Sequence, residues 1–201
     1  MENYEVLQRN LENRGFTVRV ANSQEEVIPI LKELVPEGAQ IGIPGSVTIR
    51  QLGIIENFKM LGHKVIDTWD NGDRENRLKQ LNADVVLTSS NAITEDGLLV
   101  NLDGTGNRVA SMCFGPKKVI AIIGINKVTK NLEEAIYRTK NVAAPLLYKS
   151  KNSNTPCQKT GYCHDCKTTK TKQCRVLVIH EGKPRGIEEF HIILIKEKLG
   201  F

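Results

Sequence analysis

The stretch from residue 88 to residue 108 reads TSSNAITEDGLLVNLDGTGNR and follows an apolar run at 85–87 that is typical of a buried strand. Asp96-Gly97 lies between two short apolar arms, which predicts a tight β-hairpin. The glycine-rich run 103–107 then enters a helical pattern, where backbone N–H groups suit an anion such as phosphate or carboxylate. An ordinary polar hairpin and a well-capped helix explain the same residues, because an isolated glycine-rich loop is a weak signal.

Strands and helices alternate on both sides of this stretch. Lys118–Gly124 is an uninterrupted apolar run, as expected for a strand that is buried on both faces. Two later strands are predicted at 175–180 and 190–196. The alternation predicts an α/β fold with a mainly parallel sheet and helices on both faces.

Three polar loops follow predicted strands, at residues 44–48, 88–91 and 126–127. In parallel sheets, ligands bind beyond the carboxyl ends of the strands. We therefore expect these loops to lie along one rim of the sheet and to form a pocket there.

The composition fits one domain of 201 residues, with 40% hydrophobic and 25% charged side chains. A net charge of +5 is too small to argue for nucleic-acid binding. The basic residues are concentrated between Lys149 and Arg175, where seven Lys or Arg accompany one acid, Asp165. Such a stretch is typical of a solvated loop, although it also suits an acidic ligand or partner.

The first residues, MENYE, have neither the basic nor the apolar region of a secretion signal. The longest apolar run, Val119–Ile125, is too short to span a membrane. These features predict a cytoplasmic protein. In that compartment cysteines stay reduced and are more often ligands or catalysts than disulfides.

Four of the five cysteines lie in residues 155–174, TPCQKTGYCHDCKTTKTKQC. The predicted metal ligands are Cys157, Cys163, Cys166 and Cys174. Clustered thiolates favour iron–sulfur or zinc, and we expect a [4Fe–4S] cluster because structural zinc sites usually contain two ligand pairs. Zinc is the alternative, and a mobile loop with free thiols or adventitious disulfides is the third interpretation. Cys113 stands alone on an apolar helix and is predicted to be a buried small side chain.

Several segments resemble the lactate-utilisation (LUD) domain family. They are IPGSVTIRQLG, ADVVLTSSNAITEDGLLVNLDGTGNRVASMCFGPKKVIAIIGINKV, LEEAIYRTKNVAAP, the cysteine loop and the closing LGF. The resemblance runs from about Gln40 to the end of the sequence, with residues 1–39 as a generic lead-in. It implies a single LUD domain over residues 1–201, with a cysteine-rich loop at 155–175 near its C-terminus.

The resemblance also implies the fold shared by CoA transferases and ribose-phosphate isomerases. Members of the family serve in bacterial oxidation of L-lactate to pyruvate, as the small component of a multi-protein iron–sulfur system. Related isomerases use an aspartate where this chain has Asn91, and an asparagine cannot act as a general base. Asn101, Gly104 and Thr105 match the isomerases' NxxGT run, which supports an anion-binding loop. CoA transferases use a glutamate nucleophile, for which Glu95 is the candidate, although a turn position explains Glu95 equally well.

Three functions are consistent with these features. The first is a component of lactate or hydroxy-acid oxidation that works with iron–sulfur or redox partner proteins and binds a small anionic metabolite. Its predicted pocket residues are Gly45, Ser46, Thr48, Ser90, Asn91, Asn101, Asp103, Gly104, Thr105, Gly106, Asn107 and Lys127. The second is a stand-alone transferase or isomerase that uses Glu95, and the third is a non-catalytic ligand-binding protein with a structural zinc. No flavin or nicotinamide fingerprint is present in the sequence.

Overall fold

The structure is a computed structural model that describes residues 4–168 and 170–201. The helices are α1 (Tyr4–Asn13), α2 (Val27–Leu34), α3 (Val47–Gln51), α4 (Ile54–Met60), α5 (Arg74–Leu81), α6 (Asn107–Cys113), α7 (Leu132–Arg138), α8 (Ala144–Ser150) and α9 (Pro156–Thr160). The strands are β1 (Thr17–Ala21), β2 (Ile41–Ile43), β3 (Val65–Asp67), β4 (Val85–Thr88), β5 (Ala92–Thr94), β6 (Leu99–Asp103), β7 (Lys118–Gly124), β8 (Val128–Thr129), β9 (Val176–His180) and β10 (Glu189–Ile195). Short 3-10 turns at Gln24–Glu26 and Ile125–Lys127 and a π-helical turn at Thr139–Ala143 complete the regular elements.

Six parallel strands form the main sheet in the order β1-β10-β7-β4-β2-β3. The late strand β10 lies between β1 and β7, with Phe190 opposite Val119 and His191 opposite Thr17. The predicted α/β fold with a mainly parallel sheet is confirmed. The N-terminal lead-in contributes the edge strand β1 and packs against a strand from near the other end of the chain.

Both faces of the main sheet are covered by helices, because strands such as β7 and β10 carry apolar side chains on both faces. On one face Ile120, Ile122 and Ile193 pack with residues of α2, α3 and α4. On the other face Val119 and Ile192 pack with residues of α1 and α6. Successive side chains of β7 therefore point to opposite faces of the sheet and pack into two separate cores. The uninterrupted apolar run of this strand predicts this arrangement.

A second, smaller sheet has the strand order β8-β5-β6-β9. β5 and β6 form the antiparallel hairpin expected around Asp96-Gly97, and β9 pairs antiparallel with β6. Gly97 has a φ of 92°, a backbone conformation that side chains other than glycine rarely adopt. Arg14 of the α1–β1 turn donates to the Asp96 carboxylate at 2.9 Å, which fixes the hairpin against the lead-in.

Among the helices in the described part of the chain, none has the length and apolar character that crossing a membrane requires.

Replacing Ile192 or Ile193 with alanine tests whether both faces of β10 are covered. Each side chain is fully buried, on opposite faces of the sheet. We expect Ile192→Ala and Ile193→Ala each to lower the free energy of unfolding by about 2–5 kcal/mol, measured by urea denaturation.

The matched control is Val176→Thr on β9, where the side chain is 36% exposed. We expect that change to stay within about 0.5 kcal/mol of the parent protein. If either β10 variant were as mild as this control, the corresponding face of the sheet would not be covered as described.

Candidate functional site

A cavity of about 860 Å³ opens beyond the carboxyl ends of the main-sheet strands. The three loops predicted to share a rim meet there: the loop after β2, the loop after β4, and Lys127 after β7. The loop after β3, the loop before α6, and helix α8 complete its wall. The position follows the rule for parallel sheets, because strands that end at one edge bring their loops together.

Lys127 lies at the point where these loops converge. Its Nζ atom donates hydrogen bonds of 2.9 Å to Thr48 Oγ1 and 2.9 Å to Ser89 Oγ. The residue is only 3% exposed. Burial, together with the nearby charges of Arg138 and Arg108, lowers the pKa of Lys127 from its ordinary value of 10.5 to about 7. Its amino group therefore changes charge near neutral pH.

The loop after β2 is shaped by a close approach to Trp69. Gly45 has a φ of 96°, and a Cβ atom at this position would lie 1.8 Å from Trp69 Nε1. The next residue, Ser46, caps helix α3 by accepting a hydrogen bond from the Ile49 N–H at 3.4 Å. The helix cap holds the following turn in place, so that Thr48 reaches Lys127.

Arg108 connects the hairpin to the main sheet from inside the protein. One terminal nitrogen donates to the Ser89 carbonyl at 3.2 Å and to Asn101 Oδ1 at 2.7 Å. The other donates to Asn91 Oδ1 and to the Leu102 carbonyl, each at 2.9 Å. The guanidinium is buried, and this burial lowers the pKa of Arg108. Arg108 therefore adds positive charge to the cavity wall, while its terminal N–H groups serve the protein's own acceptors.

The glycine-rich loop before α6 differs from the predicted anion cradle. The Asp103 carboxylate accepts the Gly104 N–H at 2.7 Å and the Val109 N–H at 3.2 Å. A carboxylate of the chain itself thus takes two of the backbone donors that an external anion would have used. Gly104 has a different role, because a Cβ atom there would lie 2.8 Å from the Gln173 carbonyl oxygen. The loop is therefore a packing contact with the cysteine segment.

Ten of the twelve predicted pocket residues line the cavity. They are Gly45, Ser46, Thr48, Ser90, Asn91, Asp103, Gly104, Thr105, Asn107 and Lys127. Asn101 and Gly106 do not: Asn101 is fully buried and holds Arg108, and Gly106 has a φ of 95° at the start of α6. Glu95 is exposed in the hairpin turn, away from the residues that line the cavity. In the part of the chain that the structure describes, Glu95 does not border this cavity.

Thr139 is a cavity residue that the sequence analysis missed. It is fully buried, it lines the cavity, and its hydroxyl has no hydrogen-bond partner among the described residues. It begins the π-helical turn Thr139–Ala143, and such turns often occur at functional sites. An unpaired buried hydroxyl is costly for a protein, which distinguishes Thr139 from the other hydroxyl residues of the cavity wall.

Trp69 is a second missed residue of the cavity lining. Lys151 Nζ lies 3.9 Å from the centre of its ring, and the Arg50 guanidinium carbon lies 5.3 Å away. Arg50 also donates to Asp67 at 2.5 Å and to Asp70 at 3.0 Å. The hydrophobic pattern of strand β3 ends before the loop that contains Trp69. The sequence therefore gave no indication of these contacts.

The four predicted metal ligands line a second cavity of about 180 Å³. Cys157, Cys163, Cys166 and Cys174 are all partly buried free thiols. In the described residues, 4–168 and 170–201, no group of three His, Cys, Asp or Glu side chains is arranged so that it could hold a metal ion. Thr169, within the predicted cysteine-rich loop, lies outside the described residues. The thiols thus surround a common space without converging on one point.

The two cavities share a wall. Leu102, Ala144, Tyr148, Gln173 and Cys174 border both of them. Within this wall the Cys174 sulfur lies 3.7 Å from the Tyr148 hydroxyl oxygen. A ligand in the larger cavity is thus separated from the thiol-lined space by one layer of side chains.

Comparison with solved structures supports the fold described above. A DUF162 family protein from Deinococcus radiodurans, solved at 1.70 Å resolution, superimposes with a TM-score of 0.58 at 15% sequence identity. The match covers 96% of this chain and 95% of that protein. At this identity the likeness establishes the fold alone. No functionally curated protein matches the chain.

Comparison with family models gives a match to the LUD domain over residues 4–195, nearly the whole chain. DUF162 is the same family under another name, so the structural and sequence comparisons agree. The chain therefore belongs to the LUD domain family.

Proposed function

We propose that the chain is a component of an iron–sulfur-linked system that oxidises lactate or a related small hydroxy acid. In this proposal the larger cavity binds the carboxylate of the acid, and the four cysteines hold a [4Fe–4S] cluster. The observation that carries the proposal is the wall shared by the two cavities, which contains Tyr148 and Cys174.

Charge favours an anion in the larger cavity. Its lining contains the basic residues Arg50, Arg77, Arg108, Lys127 and Lys151 and the acidic residues Asp70 and Asp103. Five basic groups against two acidic groups leave an excess of positive charge. The protonated amino group of Lys127 would bind a carboxylate, and the buried Thr139 hydroxyl would supply a further hydrogen bond.

The size of the cavity limits where a small acid would bind. A volume of about 860 Å³ is typical of sites for ligands much larger than a three-carbon acid. We therefore place the carboxylate at the Lys127 end, where hydroxyl groups are closest to the ammonium. The Trp69 end would accept a larger hydroxy acid or remain hydrated.

The donor set of the smaller cavity is four thiols, which are ligands of iron–sulfur clusters and of zinc. Zinc is therefore the alternative occupant of the same site. Four thiols around a common space of about 180 Å³ fit a group that contains several atoms. Cys157, Cys163, Cys166 and Cys174 would hold the cluster, which when bound would supply one-electron transfer.

The cellular setting follows from the same chemistry. Thiolate ligands need a reducing compartment, so we place the protein in the cytoplasm. The basic residues around the cysteine loop, such as Lys167 and Lys172, would favour an acidic redox partner. That partner would receive the electrons, because the sequence has no fingerprint of a flavin or nicotinamide site.

Removing the Lys127 charge tests the carboxylate site. We expect Lys127→Met to weaken L-lactate binding by roughly 1.5–3 kcal/mol, about tenfold or more in Kd, because it removes a charged hydrogen-bond donor. Isothermal titration calorimetry measures the change. Lys130→Met is the matched control, since Lys130 is an exposed lysine three positions along the chain. Equal Kd values for the two variants would contradict the proposal.

The pH dependence of binding provides an independent test. The ammonium form of Lys127 binds the anion, and this group loses its proton near a pKa of about 7. We therefore expect the Kd for L-lactate to rise between about pH 6 and about pH 8.5 in the parent protein. In Lys127→Met the Kd should be nearly constant over that range. A parent protein that bound more tightly at the higher pH would contradict the assignment.

Iron loading tests the cysteine site. Anaerobic reconstitution with iron and sulfide should give a brown protein with broad visible absorption. We expect Cys157→Ser, Cys163→Ser, Cys166→Ser and Cys174→Ser each to lose most of this absorption. Cys113→Ser is the matched control, because the Cys113 sulfur lies against His180, outside the cysteine cavity. A colourless parent protein that binds one zinc ion would show that the cluster assignment is wrong.

A further inference from the structure

The amino group of Lys127 has an environment that carboxylate binding alone does not require. In the described structure it is hydrogen-bonded to the hydroxyls of Thr48 and Ser89 and forms no ion pair with Asp or Glu. The charged groups facing it are the guanidinium groups of Arg138 and Arg108, which have the same sign. Most structural lysines point to solvent or pair with an acid, whereas this one is buried beside two like charges.

The backbone of Gly200 packs closely against the amino group of Lys127 and the hydroxyl of Thr48. Gly200 has a φ of 62°, and a Cβ atom there would lie 2.3 Å from Thr48 Oγ1 and 3.1 Å from Lys127 Nζ. Hydrogen bonds hold this segment in place: the Gly200 N–H donates to Gln51 at 2.7 Å, and the Leu199 N–H donates to Asn126 at 3.0 Å. The backbone of this segment thus lies against one side of the amino group, while Lys127 also borders the larger cavity.

Burial also favours the neutral form of the Lys127 amine, which is the nucleophilic form. Burial, and then the charges of Arg138 and Arg108, lower the pKa of Lys127 to about 7. A substantial fraction is therefore neutral at neutral pH, whereas an exposed lysine is almost entirely protonated. A desolvated lysine near another cationic group is a known way to activate an amine for imine formation.

We propose that Lys127 is a carbonyl-reactive residue that forms a reversible imine with a small 2-oxo acid bound in the larger cavity. The inference rests on the proposed function, because the 2-oxo acid is the oxidised form of the hydroxy acid assigned to this cavity. It extends that function by giving the site a covalent chemistry of its own.

The reaction requires no oxidant or reductant. The neutral Nζ atom attacks the ketone carbon, and a proton moves from nitrogen to the carbonyl oxygen to give a carbinolamine. The C–O bond then breaks as water leaves, and nitrogen loses its second proton to form the C=N bond. The hydroxyls of Thr48 and Ser89, each 2.9 Å from Nζ, are placed to carry these protons.

Imine formation also makes the neighbouring carbon acidic. In the protonated imine of pyruvate, a methyl proton is released to solvent as an enamine forms, and a solvent proton replaces it. The protein would therefore catalyse the exchange of pyruvate methyl hydrogens with solvent deuterium. No net change in the 2-oxo acid accompanies this exchange.

The main experiment traps the imine. The full-length protein is incubated with pyruvate, quenched with excess borohydride, and measured by intact mass spectrometry and peptide mapping. We expect one reduced adduct, at Lys127, and no adduct with L-lactate, which has no ketone. The trapped fraction should rise about tenfold between about pH 6 and about pH 8, as the neutral amine becomes the major form. Binding of L-lactate should change in the opposite direction.

Two variants make the result specific. Lys127→Arg retains a positive charge without a nucleophilic amine, so we expect it to lose the adduct and the methyl exchange, which is followed by NMR. Lys130→Arg is the matched control and should retain both. Lys127→Met serves as a second test if the larger guanidinium disturbs the fold.

The outcomes separate this inference from the proposed function. If the parent protein binds L-lactate but gives no adduct at Lys127, the imine proposal is wrong and the anion site stands. An adduct without measurable lactate binding would support the imine and remove the hydroxy-acid assignment. An adduct that persists in Lys127→Arg, or is spread evenly over surface lysines, would also overturn the imine proposal.

Discussion

The geometry of the site depends on one buried cation, the guanidinium of Arg108. Moving such a group out of water costs several kcal/mol, and the cost is offset only when its N–H groups find good acceptors. Here two carbonyls and two side-chain amides supply them, from Ser89, Asn91, Asn101 and Leu102. The end of β4, the start of β5 and strand β6 are consequently held around a single side chain. The second sheet takes its position on the main sheet from this network, and the cavity wall follows from that position.

The same network explains the two asparagines. Asn91 presents its side-chain oxygen to Arg108 and to the Leu102 N–H, so it acts as a brace for the hairpin. Related isomerases place an aspartate at this position. A carboxylate beside Arg108 would pair with the guanidinium and cancel the charge that now faces the cavity. The amide keeps the hydrogen bonds and leaves the positive field intact, which suits an anion site.

Much of the fold could be predicted from the sequence, because its strongest signals are local. The apolar run of β7, the hairpin at Asp96-Gly97 and the alternation of strands with helices each depend on neighbouring residues. The position of β10 between β1 and β7 could not be predicted in this way. Its pattern identifies a buried strand, but the choice of β1 and β7 as neighbours depends on contacts distant in sequence.

The site was predicted less completely for the same reason. Loops at strand ends gave Thr48 and Lys127, since their placement follows from the direction of parallel strands. Trp69 and Thr139 were missed because they reach the cavity from segments distant in sequence from the predicted loops. The hydrophobic periodicity of a sequence does not show such contacts. The glycine-rich loop was recognised, but the sequence did not show that Asp103 accepts two of the backbone N–H groups at the start of α6. The sequence of this loop shows that backbone N–H donors are available. Only the folded structure shows which acceptor binds them.

The insertion of β10 between β1 and β7 also affects the order in which the sheet can form. Thr17 pairs with His191, so their ladder closes a loop of 174 residues (191 minus 17), a large entropic cost before any contact forms. The N-terminal part of a chain is synthesised first. Strand β1 can therefore pair in the sheet only after Glu189–Ile195 has been synthesised. Before β10 is made, β7 therefore presents an open hydrogen-bonding edge. Until β10 joins the sheet, this edge is free to pair with a strand of another molecule, and the insertion of β10 removes that hazard.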